Sequence, residues 1–340
     1  MNLLTWNTRQ PPTADFERAW GGTLSACPHA NFSFDPRYLA WEARHGRHAV
    51  AVQVDEGGRR GAIVLRVRGP VLLSGWPWRW QAIVAAPDRG SAAGLTPDDG
   101  DWLMAAARRV AGGRRLRCLL PLAVPASRGG FRAGATLMRP TDADGEQLLA
   151  QFDVNKRRAV KRAIREGWVV REAASVEERR AFAVIRREVD LMHGHRVPEL
   201  APGTPESGED WREWELPWMW LLVAVRDGEV GAGSGFGVTP GGTIEYRANG
   251  SNAEARRLGV NALLAWEALR GAHERGCHWM NWGGVTEFKR ELGGERVEIH
   301  CRLGGGAAWA LPNAVEARWH DALWRSRPLV RALRSRLRTS

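Results

Sequence analysis

The chain has 340 residues and a formal net charge of +11, from 49 Lys and Arg against 38 Asp and Glu, and 44% of it is hydrophobic. That length exceeds one ordinary core, so two domains are expected, and the balance of apolar to charged residues excludes a disordered chain. No apolar run approaches the ~20 residues of a membrane span, the N-terminus lacks a signal-peptide pattern, and Cys27, Cys118, Cys277 and Cys301 are scattered without metal-ligand spacing, so a cytoplasmic protein with reduced thiols, no metal and no stable membrane insertion is expected.

In chain order, a connecting segment through Pro11-Pro12 leads to a predicted helix over 13–20. A second predicted helix starts at Pro36, capped by Asp35, and runs to about Arg44. Strand-like runs at 49–55 and 61–67 flank the turn signal Glu56-Gly57-Gly58. A helix over 98–111, stopped by Gly112-Gly113, and a short strand at 117–121 complete an α/β half. The polar break 140–145 separates it from the rest, giving expected domains at 1–143 and 144–311 and a basic helical tail at 312–340.

A helix from Glu146 continues into the basic stretch 156–167, with Val160, Ala163 and Ile164 on its apolar face. A strand at 168–171 and a helix over 176–193 follow, then the loop Pro198–Asp210, the best lid candidate. Strands at 220–226, 229–238 and 243–248, a long helix over 258–275, a strand at 278–282, a short helix over 287–292 and a last strand reaching 303 close the domain.

The charge surplus favours a polyanionic partner, because neutralised phosphates release counterions. Only three of the 49 basic residues are lysines: Lys156, Lys161 and Lys289. In a chain so biased towards arginine, a retained lysine is a candidate for chemistry that an always-ionised guanidinium cannot do. The plain alternative is chance survival on a solvated surface.

The element order from 156 to 303 resembles a Gcn5-related acetyltransferase (GNAT) domain, and Arg256-Arg257-Leu258-Gly259-Val260-Asn261 resembles the phosphate-binding start of its long helix, with Asn261 in place of a small residue. The stretch 281–294, with its Gly283-Gly284 turn and its Phe288-Lys289 pair, resembles the second domain of the Fem family of aminoacyl-tRNA-dependent peptidyltransferases. The basic helix 156–167 and the segments Tyr246–Ser251 and 263–267 agree with that resemblance. It implies two tandem GNAT-like α/β domains with mixed sheets flanked by helices. It also implies aminoacyl-tRNA as co-substrate with no other cofactor, and an amine acceptor, either a small specialised metabolite or a peptidoglycan precursor.

On the same resemblance, Lys289 stands at the acyl-transfer point beside Phe288. Lys156, Arg157, Lys161, Arg256, Arg257 and Gly259 bind the donor, and Arg37, Arg44 and Tyr246 bind the acceptor. Cell-wall members hold a diphosphate with a lysine in the first domain. Here no lysine precedes 156, and Arg37, Arg44 or Arg47 stands in its place. The arginines 318, 325, 327, 331, 334, 336 and 338 extend the basic helix as an RNA track, and His193, His195, Asp190 and Glu245 are candidate proton acceptors. An acyl-CoA-dependent N-acyltransferase on the same scaffold, and a non-enzymatic RNA-binding module, are the alternatives.

Overall fold

The computed structural model describes residues 1–75, 81–85, 92, 94–121, 130–193 and 213–336. The chain divides into two compact units, one of Met1–Cys27, Ser33–Thr136 and Arg296–Ser340, the other of Pro28–Phe32 and Leu137–Glu295. The expected division at 1–143, 144–311 and 312–340 runs in uninterrupted blocks, whereas both units are assembled from separated segments.

The first unit runs β1 (Asn2–Asn7), α1 (Ala14–Ser25), α2 (Pro36–Arg44), β2 (Ala49–Glu56), β3 (Arg59–Arg68), β4 (Val71–Ser74), β5 (Ala82–Val84), α3 (Pro97–Ala111) and β6 (Arg115–Leu120), and takes in the start of β7 (Gly130–Pro140). Strands β1 to β4 form an antiparallel meander, and β6 joins β4 in parallel after the α3 crossover. Asp35 accepts from Arg37 N to cap α2, with Pro36 in its first turn. Thr96 and Asp99 form a capping box on α3, which ends at Gly112 in the left-handed region (φ 55°). Ile63, Leu65, Leu103 and Leu116, all fully buried, join these strands to α3.

The second unit runs α4 (Gly145–Ala150), α5 (Val154–Arg165), β8 (Val169–Glu172), α6 (Val176–Met192), β9 (Met219–Arg226), β10 (Glu229–Gly237), β11 (Thr243–Ser251), α7 (Ala253–Leu258), α8 (Val260–Glu274), β12 (Trp279–Gly284) and α9 (Glu287–Glu291). Strands β8 to β11 are antiparallel, and β12 joins β11 in parallel. Helix α8 is buried along most of its length and centres the core with Phe236, Ile244, Met280 and Trp282.

Strand β10 carries glycines at 231, 233, 235 and 237, and a Cβ at each would lie 2.1–2.4 Å from a ring atom of Trp168, Phe182, Trp214 or Phe32 in turn. Each glycine seats one aromatic ring: a register shift between Val230 and Ala232 turns Gly231 towards Trp168 in the core built on α8, while Gly233 and Gly235 meet Phe182 and Trp214 in a separate cluster. The fold is completed by β13 (Glu295–Gly304), antiparallel to β6, and by α10 (Ala310–Arg336). Among the described residues no helix is long and apolar enough to cross a membrane.

Several expectations change. The N-terminal connector contains β1, and β7 had no sequence prediction. The helix expected from Glu146 through 167 is two helices, because Asp153 accepts from Asn155 N and restarts the chain as α5. Ile164, assigned to the apolar face, is 49% exposed while Val160 and Ala163 are buried. The long helix begins after a break at Gly259 (φ 79°) that ends α7. Segment Pro28–Phe32 belongs to the second unit because Ala30 O accepts from Thr243 N at 2.7 Å, Pro28 O accepts from Thr243 Oγ1 at 3.3 Å, and His29 stacks on Trp279.

Candidate active site

Strands β11 and β12 pair only over Thr243–Glu245 and Trp279–Asn281. Beyond that register the two parallel strands part. Gly283, at φ 73°, turns β12 immediately after Trp282, and Asn281 Oδ1 holds the turn by accepting from Gly283 N at 2.9 Å. A side chain with a Cβ would be strained at that φ, which accounts for the glycine at 283.

Helix α9 follows, capped by Thr286, whose Oγ1 accepts from Lys289 N. The cap aims the half-buried Lys289 back into the parting: its Nζ donates to Trp282 O on β12 and lies 4.5 Å from the ring centroid of Tyr246 on β11. The ammonium therefore bridges the two diverging strands. Tyr246 packs edge-on against Trp282 and Phe236. Burial pushes its phenol well above the usual tyrosine range, so the ring faces Lys289 as a neutral group. Beneath them Glu245, 2% exposed, lies opposite Asn281, whose Nδ2 is 3.5 Å from its Oε1.

Phe288 packs on the core and receives Lys156 Nζ 4.8 Å from its ring centroid, while Lys156 also pairs with Glu291 at 3.0 Å. Lys156, Phe288, Lys289 and Tyr246 thus gather around α9. Glu291, which ties α5 to α9, was not singled out in the sequence, although it lies two residues after Lys289. Arg157 donates to Ala150 O and Phe152 O at the end of α4.

Arg162 reaches across from α5 to donate to Arg257 O and Leu258 O, both at 3.2 Å, which holds α5 against the end of α7. Exposed Arg158, Lys161 and Arg165 on α5 and exposed Arg256 and Arg257 on α7 belong to this joined pair of helices. Gly259 is required by packing: a Cβ there would lie 2.7 Å from Ala159 Cβ. Arg256 donates to Ser251 O, and Asn261 Nδ2 donates to Ser251 Oγ. Helix α8 starts without a side-chain cap.

The structure places Tyr246 in the second unit with Lys289, apart in the chain's division from Arg37 and Arg44 of the first. Arg37 is paired with Asp35, 2.6 Å away, and this bond holds its guanidinium above the usual arginine range. Arg44 is exposed at the end of α2, and Arg47 lies 3.5 Å from buried Glu42. Asp190 pairs with Arg186 along α6, and His193 ends that helix. His195, the loop Pro198–Asp210 and Arg338 lie outside the described residues, as do the side chains of Arg325, Arg327, Arg331, Arg334 and Arg336.

A family model described as an acetyltransferase (GNAT) domain matches residues 150–290, the stretch that holds the parting of β11 and β12. Residues 150–290 are a GNAT domain. Around it the whole chain is similar in fold to the crystal structure of FemX, with 13% identity, a TM-score of 0.61, and coverage of 92% of this chain and 100% of that one. Further solved structures also match, among them two that cover most of the chain. The C-terminal domain of a putative lysylphosphatidylglycerol synthetase from Agrobacterium fabrum has 17% identity, a TM-score of 0.48 and coverage of 79% and 88%. A tandem GNAT protein from the clavulanic acid biosynthesis pathway has 16% identity, a TM-score of 0.46 and coverage of 90% and 100%. No curated protein matches. The GNAT domain carries an acyltransferase scaffold, and Lys289 lies at its strand parting.

Proposed function

We propose that this chain is a Fem-like aminoacyltransferase that moves an amino acid from aminoacyl-tRNA to an amine acceptor, either a small specialised metabolite or a peptidoglycan precursor. The observation that carries the reading is the Lys289 ammonium bridging Trp282 O and the Tyr246 ring where β11 and β12 part. The acceptor amine attacks the ester carbonyl, its C–N bond forms, and negative charge collects on the carbonyl oxygen. Collapse breaks the C–O bond, the tRNA's terminal ribose oxygen leaves with a proton, and an amide remains. A fixed ammonium beside that oxygen stabilises the charge by roughly 3–4 kcal/mol when it acts as an oxyanion-hole donor does. The cationic α5–α7 pair supports a phosphate-rich donor, because each phosphate neutralised there releases counterions.

The second reading, an acyl-CoA-dependent N-acyltransferase, is favoured by the uncapped start of α8 after Arg256–Gly259, where backbone N–H groups suit a pyrophosphate. The deciding experiment incubates the protein with a radiolabelled mixed aminoacyl-tRNA pool and candidate amines. We expect acceptor-dependent loss of one amino acid's label, lowered about 10²–10³-fold in Lys289→Ala. Retention of every label with every amine, together with thermal stabilisation by coenzyme A, would move the assignment to the second reading.

A further inference from the structure

A cavity of about 410 Å³ lies in the first unit, bounded by β4, β6, β7 and β13 and covered by α10. That volume falls within the ~300–1,000 Å³ usual for small-molecule sites. Leu73, Leu119, Ala133 and Leu323 give it apolar walls, while Phe131, His320 and Trp324 add flat rings. The helix is fastened over it from one end. Arg115 Nε donates to Asn313 Oδ1 at 2.8 Å, Asn313 Nδ2 donates to Gly304 O at 3.1 Å, and His320 stacks on Phe131 with centroids 3.8 Å apart.

The charges around the cavity do not balance. Arg115 and Arg117 share Glu316, while Arg132 and Arg296 share Glu298. Asp321 of α10 is a third carboxylate, acting on His300, and the four guanidinium groups still outnumber the three carboxylates. Two of these arginines, Arg117 and Arg132, line the cavity itself. Arg132 lies 4.3 Å over the Trp324 ring, and its buried Nε has no hydrogen-bond acceptor among the described residues. A buried N–H of a charged group without an acceptor is costly, and an incoming anion relieves that cost.

We propose that this cavity is a second ligand site, for an organic anion with a flat apolar body. The acid group meets Arg117 and Arg132, and the body fills the space between the sheet and α10, stacking on planar side chains. Occupancy ties α10 more firmly to the sheet, since the ligand touches both. The site lies wholly in the first unit, so it stands or falls separately from the transferase reading.

The test uses the full chain with phenyl phosphate and benzoate as probes, and inorganic phosphate and benzyl alcohol as the separated halves. Calorimetry and hydrogen exchange read the outcome. At least one aryl anion is expected to bind and slow exchange across 313–324, with each half at least about tenfold weaker. Arg132→Gln is expected to weaken binding about tenfold or more. Ala133→Leu fills the cavity while keeping every charge, so it is expected to weaken binding as much in a protein whose melting temperature is retained. Absence of binding by both aryl anions, binding undiminished in a folded Ala133→Leu protein, or inorganic phosphate binding as tightly as phenyl phosphate would overturn the proposal.

Discussion

The two units repeat one plan: an antiparallel meander, a crossover helix, and a strand returning in parallel to the last meander strand. They differ at the start of the crossover helix. In the first unit α3 opens on Thr96-Pro97-Asp98-Asp99, where a capping box occupies the end N–H groups and two carboxylates sit in the first turn. That end repels an anion. In the second unit the crossover breaks at Gly259, α8 opens without a side-chain cap, and Arg256 and Arg257 immediately precede it. Within one shared topology, a few residues reverse the charge presented at the start of the crossover helix.

The largest effect that sharpens this contrast is expected in donor binding. Replacing Arg158, Lys161 and Arg165 with Gln should weaken aminoacyl-tRNA binding about tenfold or more at low salt. It should also reduce the slope of log affinity against log salt by about one for each phosphate no longer neutralised. The matching change in the first unit, Arg44 and Arg47 to Gln, should leave that slope unchanged. Equal reductions in slope from both sets of substitutions, read by filter binding across a salt series, would break the contrast.

Next comes the turn itself. Gly259→Ala should cost about 2–3 kcal/mol, combining a positive φ with a Cβ set against Ala159. Gly112→Ala, at φ 55° with nothing near its Cβ, should cost only about 1 kcal/mol. Denaturant unfolding of the two variants gives the comparison, and equal costs would mean that close α5–α8 packing contributes nothing.

The smallest effect concerns the capping box. Thr96→Ala should cost about 1 kcal/mol. Burial alone would raise the Asp99 carboxyl, but hydrogen bonds from Thr96 N, Arg59 and Thr96 Oγ1 outweigh it and hold Asp99 below the usual aspartate range. A carboxyl lowered on folding contributes stability above its unfolded pKa and loses it as pH falls through the folded value. The Thr96→Ala penalty should therefore shrink under acid, as followed by urea midpoints at neutral and acidic pH. A penalty that persists unchanged would assign it to the helix cap alone.

Much of this was legible in the sequence where the signals are local. Asp35-Pro36, Thr96-Pro97 and the Asp227-Gly228 turn fix their own neighbourhoods through side-chain caps and positive φ, so α2, α3 and the β9–β10 hairpin fall close to expectation. What escaped depends on distant partners. A last strand reaching 303 was expected, but not its pairing with β6, some 180 positions earlier in the chain, and segment Pro28–Phe32 is placed by Thr243. Neither pairing leaves a mark in its own residues. At the candidate site the Phe288-Lys289 pair was visible, but its bridge to Tyr246 arises only because β11 and β12 part after three paired residues. Tyr246 was accordingly grouped with the acceptor arginines rather than with the lysine it touches.

The glycines of β10 have a consequence for descent. Each of Gly231, Gly233, Gly235 and Gly237 is complementary to one particular ring, and even a methyl group would collide with it. These positions cannot drift singly. A lineage that acquires a side chain at Gly235 must in the same stretch of history shrink Trp214, and a lineage that loses Phe182 leaves a hollow over Gly233 that favours refilling. Related chains should therefore exchange bulk between strand and ring in pairs, leaving four coupled columns where other strands of the sheet vary independently.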